Sequence, residues 1–203
     1  MKQIVVLASG RGSNFQAVVD AINRGTISGE CAGLITDNPA AYSINRAEKA
    51  GIPVMVLDYS SYPDKNAYER DLLQTMEKTG ADLYVLAGYM RILGQRIVAA
   101  FPRRIINIHP ALLPSFPGLH AQRQAISSGV KVSGCTVHFV DEGMDTGPII
   151  VQECVPVPDD ATEESLADLI LSREHTCLAR AIQLYCEDRL EIEGRHVRIA
   201  PGT

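Results

Sequence analysis

The chain has 203 residues, of which 19 are basic and 24 acidic, so its formal net charge is −5 at pH 7. A hydrophobic content of 46% and a charged content of 21% are ordinary for a folded soluble protein, and the length fits one large domain. The acidic balance argues against binding driven by attraction to nucleic acid or to an anionic membrane.

The cysteines and the amino-terminal segment favour a cytoplasmic protein. The apolar run at residues 4–8 is too short for a signal peptide or a membrane span. The cysteines are odd in number, scattered, and without a Cys-x-x-Cys pair: Cys31, Cys135, Cys154, Cys177 and Cys186. This pattern disfavours a disulfide framework or a structural zinc site and is typical of a reducing compartment.

The first half of the chain alternates between strand-like and helix-like segments. Short apolar runs predict strands at residues 3–8, 30–36, 53–58, 82–88 and 105–109. Helical patterns fall between them, at 15–25, at 41–50, from Ser61 and Pro63 to the residue before Gly80, and near 94–100. Such alternation predicts an α/β fold with a doubly wound, mostly parallel, Rossmann-like sheet.

A glycine-containing loop joins the first predicted strand to the first helix and reads Ser9-Gly10-Arg11-Gly12-Ser13-Asn14. This arrangement aims backbone N–H groups at an anion. Phe15 stands where a dinucleotide fingerprint needs glycine, and the loop has no Walker lysine. The loop therefore suits a single phosphate better than a dinucleotide or a triphosphate. A tight strand–helix turn without a ligand is the alternative.

Two polar side chains end the fifth predicted strand. Asn107 and His109 are two residues apart, so they emerge on the same face, and Pro110 should end the strand directly after them. Ligands of open α/β sheets bind at the carboxyl ends of strands. On its own, such a pair more often consists of ordinary hydrogen-bonded strand-end residues than of catalytic ones.

The second half is predicted to extend the fold with antiparallel strands. The β-rich runs at 131–140 and 149–157 are too close in sequence for a crossover helix, so we expect them to pair antiparallel. The tail is predicted to form a hairpin that turns at Glu193-Gly194.

A long helix is predicted at residues 163–187, with Thr162 as its N-cap. Glu174 interrupts the apolar stripe, so its carboxylate needs either an ion-pair partner or a ligand. The stripe comprises Leu166, Leu169, Ile170, Leu178, Ala181, Ile182 and Tyr185.

Several motifs together resemble the 10-formyltetrahydrofolate-dependent formyltransferases. They are Asn107-Ile108-His109-Pro110, Leu112-Leu113-Pro114 with Gly118, and the loop from Asp141 to Pro148. The amino-terminal glycine loop is similar to the branch of that family that formylates glycinamide ribonucleotide in purine (IMP) biosynthesis. The resemblance covers essentially the whole chain. It implies a single formyltransferase domain over 1–203, with a phosphate-binding half at 1–100 and a catalytic, folate-binding half at 101–203.

The resemblance also implies roles for individual residues. The catalytic trio would be Asn107, His109 and Asp145. The glycinamide ribonucleotide would contact Gly12, Ser13, Asn14, Leu171, Ser172, Arg173 and Glu174. The cosubstrate 10-formyltetrahydrofolate would contact Lys65, Met90, Arg91, Ile92, Leu93, Asn107, Asp141, Glu142, Gly143, Met144 and Asp145. His120 is a further candidate for substrate contact, and Arg11 and Ala111 depart from the residues most often seen at their positions.

This chemistry requires an oxyanion site and a route for a proton. When the amine attacks the formyl carbon, Asn107 and a protonated His109 would stabilise the developing oxyanion. We expect Asp145 to lie beside His109 and to raise its pKa. The remaining histidines lack metal-ligand spacing, so no metal is expected. The implied partners are the two small-molecule substrates, without nucleic acid or membrane, and the chain is expected to be a monomer or a homodimer.

Three alternatives remain. A formyltetrahydrofolate hydrolase shares the trio but usually carries an extra amino-terminal regulatory domain, whereas the first strand here is expected from residue 3. A methionyl-tRNA formyltransferase needs an additional basic carboxyl-terminal domain, and this chain is acidic and short. A non-catalytic folate-binding regulatory module is the alternative from a different class, and the intact trio argues against it.

Overall fold

The computed structural model describes residues 1–202, which form two compact units. The first unit is Met1–Ile106, and the second begins at Asn107. Strand β5, Ile105–His109, contains the boundary between them.

The first unit has a parallel sheet with the strand order β3-β2-β1-β4. Its strands are β1 Lys2–Leu7, β2 Gly29–Thr36, β3 Val54–Val56 and β4 Leu83–Leu86. Its helices are α1 Ser13–Asn23, α2 Tyr42–Lys49, α3 Lys65–Thr79 and α4 Gln95–Ala100. All four residues of β4 are buried. Residues 4–7 of β1 and Ala8, which follows it, are buried as well. Continuous burial of this kind explains the unbroken apolar runs, because helices cover both faces of a parallel sheet.

The second unit has the strand order β6-β7-β9-β8. Its strands are β6 Val132–Phe139, β7 Ile149–Pro156, β8 Leu190–Glu193 and β9 His196–Ile199, and its helices are α5 Ala121–Ser127 and α6 Glu163–Cys186. The β6–β7 and β8–β9 pairs are antiparallel, whereas β7 pairs with β9 in parallel. The predicted α/β class, with a mostly parallel sheet extended by antiparallel strands and a long helix, is confirmed.

Two local predictions, the start of α3 and the membership of Leu169 in the buried face of α6, are wrong. Ser61 does not open α3, because Asp58 accepts the Ser60 N–H and closes a separate 3₁₀ turn at Tyr59–Ser61. The N-cap of α3 is Asp64, which accepts the Ala67 N–H at 2.7 Å. Leu169 is 40% exposed and lies off the buried face of α6, which also includes Cys177 and Leu184.

Two further details differ from the sequence-based expectation. Helix α5 was not predicted, since seven residues are too few to show a helical period. The carboxyl-terminal hairpin turns at residues 194–195, one residue later than predicted, because Glu193 still pairs with His196.

The N-cap of α6 provides a test of local stability. Thr162 and Ser165 form a reciprocal capping box, with Thr162 accepting from the Ser165 N–H at 3.1 Å and Ser165 Oγ accepting from the Thr162 N–H at 2.9 Å. We predict that Thr162→Ala lowers the free energy of unfolding by about 1 kcal/mol, measured by urea denaturation. Thr176→Ala, at an exposed position of the same helix, is the control. An equal loss in both variants would contradict the capping role.

Candidate active site

Asn107 and His109 lie at the end of strand β5, in the second unit. His109 is only 4% exposed, and Asn107 is half-buried. Because they lie two residues apart on a strand, both side chains reach the same group of residues. Asn107 Nδ2 lies 3.3 Å from His138 Nε2, and His109 Nδ1 lies 3.4 Å from Asp145 Oδ2. The expected proximity of Asp145 to His109 is therefore present in the structure.

The His109 ring is fixed by two different contacts. Its Nε2 lies 2.8 Å from the carbonyl oxygen of Phe116, a residue in the left-handed conformation with φ of 56°. A carbonyl oxygen only accepts, so Nε2 carries a proton and donates it. The second nitrogen, Nδ1, faces Asp145 and is the atom at which a further proton is gained or lost.

Asp145 is held at the centre of the group by its backbone and by its partners. Its φ of 55° is rare for a residue with a side chain. The Gly118 N–H donates to Oδ2 at 2.7 Å, and His138 Nε2 lies 3.6 Å from Oδ1. One carboxylate oxygen therefore faces His109 and the other faces His138.

His138 is the member of the site that the sequence reasoning missed. It is buried on β6, and its Nδ1 lies 2.9 Å from the carbonyl oxygen of Phe139. Nδ1 therefore carries the proton, so in the neutral ring Nε2 can accept from Asn107. A histidine inside a buried β-branched run, seven residues before Asp145, was the available signal.

Burial decides the protonation state of His109. It lowers the pKa of the imidazole from its usual 6.5, although the Phe116 carbonyl and Asp145 both act to raise it. Asp145 acts in the expected direction, but the desolvation of the buried ring outweighs this one neighbouring carboxylate, so the pKa falls overall. Burial also acts to raise the pKa of Asp145, but His138, the Gly118 N–H and His109 together lower it. A neutral imidazole thus faces an ionised carboxylate near pH 7.

The glycine loop of the first unit leads directly into the N-terminus of α1. Gly12 is the N-cap of α1 and has φ of 68°, so the chain turns sharply into the helix. A Cβ at Gly12 would lie 2.6 Å from Ser43 Cβ, which makes glycine necessary for close packing against α2. The first-turn N–H groups of a helix lack intrahelical acceptors. Residues 12–14 therefore form the N-terminal end of a helix, which is the feature that the phosphate interpretation requires.

Helix α2 also holds this loop through Arg46. Its Nε donates to the Arg11 carbonyl oxygen at 2.9 Å, and the Ser43 N–H donates to the Gly10 carbonyl oxygen at 3.0 Å. The Arg11 side chain is exposed. The loop is thus fixed by its backbone rather than by the Arg11 guanidinium.

The predicted folate contacts of the first unit surround a cavity of about 230 Å³. The segment from Met90 to Leu93 forms one side of it, and Lys65 lies on α3, where its Nζ is 3.4 Å from Glu69 Oε1. The cavity is lined by Tyr59, Lys65, Tyr68, Glu69, Leu72, Met90, Arg91, Ile92 and Leu93. All five of the folate contacts predicted for this unit are therefore brought together.

The remaining predicted contacts lie in the second unit. Asp141 Oδ1 accepts from the Gly143 N–H at 3.1 Å and from Thr146 Oγ1 at 2.6 Å, which shapes the loop that carries Asp145. Glu142 and Met144 are exposed on that loop. Glu174 is buried on α6. The two residues before it, 172 and 173, are exposed, and His175 after it is half-buried. His120 is exposed and forms the N-cap of α5.

Two further features bear on the class of site. Across residues 1–202, no group of three or more His, Cys, Asp or Glu side chains could hold a metal ion. None of the helices in the same part of the chain combines the length and the apolar character needed to cross a membrane.

A family model described as formyl transferase matches residues 2–182. The chain belongs to the formyl transferase family. The resemblance inferred from the Asn107-to-Pro110 motif is thereby confirmed, and so is the expected class of enzyme.

Individual members of the formyl transferase family resemble the chain over most of its length. Phosphoribosylglycinamide formyltransferase of Bacillus subtilis (strain 168) is 44% identical over 175 residues, which cover 86% of this chain and 90% of that protein. The crystal structure of glycinamide ribonucleotide transformylase 1 from Symbiobacterium toebii has a TM-score of 0.96 and 49% identity, covering 99% of this chain and 95% of that one.

A longer relative contains the formyl transferase sequence as one part. The trifunctional purine biosynthetic protein adenosine-3 of Drosophila melanogaster is 43% identical over 185 residues. The match covers 90% of this chain but 14% of that protein, so the chain spans about a seventh of its length.

The protonation state of His109 can be measured directly. We predict that the ring titrates below pH 6.5, because burial opposes its charged form. Asp145→Asn should lower the pKa further, since it removes a charge that favours the imidazolium. NMR chemical shifts of labelled imidazoles against pH test both statements, and the exposed His196 serves as an internal control. A His109 pKa above 6.5, or an upward shift in the variant, would contradict this assignment.

Proposed function

We propose that this chain transfers the formyl group of 10-formyltetrahydrofolate to the glycine amine of N1-(5-phosphoribosyl)glycinamide. The products would be formylglycinamide ribonucleotide and tetrahydrofolate, a step of IMP biosynthesis. The observation that carries the proposal is the contact between buried His109 and Asp145 at 3.4 Å, next to the carboxamide of Asn107. The names of the Bacillus subtilis and Symbiobacterium toebii proteins support the choice of acceptor.

The first step needs a proton acceptor. The amine attacks the formyl carbon, a C–N bond forms, and the nitrogen must then lose a proton. Neutral His109 can take that proton at Nδ1, directly or through a water, because Nε2 is already committed to the Phe116 carbonyl. The resulting imidazolium lies beside the Asp145 carboxylate, which stabilises its charge.

The oxyanion of the tetrahedral intermediate needs a donor. The Asn107 carboxamide nitrogen has two protons, of which one can point to His138 Nε2. The other can donate to the formyl oxygen as it becomes negative, which is the role of an oxyanion hole. His138 would orient the amide for this task.

The second step returns the proton. The bond between the formyl carbon and the folate nitrogen breaks, and His109 gives its Nδ1 proton to that departing nitrogen. The imidazole is neutral again, and Asp145 has remained ionised throughout, in keeping with its lowered pKa. The cycle consumes no net proton on the enzyme.

Each unit would have its own binding task. In the first unit, Gly12, Ser13 and Asn14 would hold the ribose phosphate, and Lys65 with residues 90–93 would contact the folate. In the second unit, residues 141–145 would contact the folate, and residues 171–174 would contact the glycinamide and ribose. The buried Glu174 carboxylate would then accept a hydrogen bond from a neutral or cationic donor of that substrate.

We propose a cytoplasmic enzyme that works as a monomer or a homodimer. All five cysteines are free thiols, which suits a reducing compartment.

A formyl-transfer assay tests the proposal against its main alternative. We expect tetrahydrofolate to form from 10-formyltetrahydrofolate only when the glycinamide ribonucleotide is present, followed by absorbance and by mass analysis of the formylated product. Equal release without that acceptor would instead support the hydrolase. Binding of the folate without any turnover would support the non-catalytic regulatory module.

Substitution of the trio should remove catalysis and leave the fold intact. We predict that Asn107→Ala, His109→Ala and Asp145→Ala each lower kcat by about two or more orders of magnitude, through lost oxyanion and acid–base terms. His196→Ala, at an exposed histidine, is the matched control. Near-normal turnover of any folded trio variant would remove that residue from the mechanism.

The glycine loop can be tested separately. We predict that Gly12→Ala lowers kcat/KM for the glycinamide ribonucleotide by about tenfold or more, because a Cβ 2.6 Å from Ser43 must displace the loop from its anion-binding position. Affinity for the folate should change little. Gly25→Ala is the control, since Gly25 also has a positive φ of 72° but open space around it. An equal effect of both substitutions would contradict the role of the loop.

A further inference from the structure

The segment Tyr89 to Leu93, which we call the 89–93 loop, is held mainly by polar contacts. Two of its large side chains, Met90 and Ile92, are 62% and 60% exposed, so burial of apolar surface contributes little to their positions. The same loop forms one side of the 230 Å³ cavity. Leu93, at the other end of the loop, is buried at 9% exposed, so packing holds that end and the middle of the wall depends on other contacts.

The strongest of these contacts is an ion pair with Asp37. Arg91 Nε donates to Asp37 Oδ2 at 2.7 Å, and this bond raises the pKa of the guanidinium. Asp37 follows directly after β2 and is 4% exposed, whereas the Arg91 side chain is 42% exposed. The pair thus joins an exposed side chain on the loop to a buried carboxylate at the end of a strand.

The Tyr59 ring also contacts the Arg91 guanidinium of this ion pair. The Arg91 guanidinium lies 3.8 Å from the centre of the Tyr59 ring, a cation–π contact. The Tyr59 N–H donates to the Asp37 carbonyl oxygen at 3.1 Å. Asp37 therefore positions both the guanidinium and the aromatic ring that covers it.

The rest of the loop is held at points that flank this pair. The Met90 N–H donates to Ser9 Oγ at 2.9 Å, and the hydroxyls of Tyr68 and Tyr89 are hydrogen-bonded to each other. Burial raises the pKa of Tyr68 to about 12, so its hydroxyl stays protonated at neutral pH. These contacts fix the amino-terminal end of the segment, and Asp37 fixes its middle through Arg91.

A contribution to folding stability does not explain why a carboxylate is buried at position 37. Asp37 Oδ1 is buried and has no hydrogen-bond partner in the described chain, so the charge depends on Arg91 for compensation. A buried carboxylate with one unsatisfied oxygen costs free energy that an apolar residue would not. A group kept at such a cost calls for an explanation beyond packing.

We infer that Asp37 is a positioning residue for the formyl-folate substrate, acting through Arg91 and Tyr59. Both of those side chains line the cavity, and Asp37 itself does not. The carboxylate holds the middle of the 89–93 loop in the shape that receives the folate. The inference rests on the proposed function, and it concerns binding of the formyl donor rather than the chemical step.

The test is the steady-state kinetics of Asp37→Asn in the full-length chain. If loss of the charge reduces the fraction of molecules with a correctly placed loop to about a tenth, the apparent KM for 10-formyltetrahydrofolate rises about tenfold. We expect kcat and the KM for the glycinamide ribonucleotide to stay within about twofold, since the trio is untouched. Asp58→Asn is the matched control, because Asp58 caps the adjacent 3₁₀ turn and bonds to Ser60 instead of Arg91.

A double-mutant cycle distinguishes positioning from a general loss of structure. In an Arg91→Gln background, Asp37→Asn should produce no further rise in KM, because its partner is already gone. If Asp37→Asn does not fold, Asp37→Glu keeps the buried charge but moves it by one methylene, and a rise of about threefold or more is then expected.

Failure of the Asp37 inference and failure of the proposed function give different results. An unchanged folate KM in an active Asp37→Asn enzyme overturns the positioning role, as does an equal change in kcat and both KM values. Absence of formyl transfer by the wild-type chain overturns the proposed function instead. A rise in folate KM confined to Asp37→Asn, and absent from Asp58→Asn, supports the inference.

Discussion

A neutral imidazole and an ionised carboxylate face each other at 3.4 Å in a largely buried site, and the proposed chemistry depends on that contact. Burial lowers the pKa of His109, so the ring is ready to accept a proton. Asp145 acts to raise the same pKa, and in the proposed mechanism it would stabilise the imidazolium after His109 has accepted the proton. Two opposed effects thus act on the pKa of His109, and the lowering by burial is the larger of the two.

The fold maintains this contact with backbone conformations that are costly in isolation. Phe116 and Asp145 both have positive φ, which costs about 1 kcal/mol per residue with a side chain. In return, the Phe116 carbonyl fixes the His109 proton on Nε2, and the Gly118 N–H fixes the Asp145 carboxylate. Strain of this kind collects at functional sites, where the surrounding structure over-determines the conformation.

The first unit uses the same strategy with polar contacts to the ends of its strands. Arg46 and Ser43 bind the backbone of the glycine loop, and Asp37 binds the guanidinium of Arg91. Both loops follow strands of a parallel sheet, whose carboxyl ends are the usual edge for ligands. The strand ends of the sheet therefore supply the anchors that hold both loops, which carry the proposed binding residues.

Local patterns in the sequence determined the strand and helix alternation, the cap at Thr162, and the shared face of Asn107 and His109, because these depend on residues close in the chain. The family motif added Asp145, while its role in the chemistry is still a proposal. Only the tertiary structure placed His138 between Asn107 and Asp145 and exposed Leu169. It also showed that desolvation outweighs the effect of Asp145 on the pKa of His109. Burial sums over neighbours from many parts of the chain, so no local pattern of residues contains it.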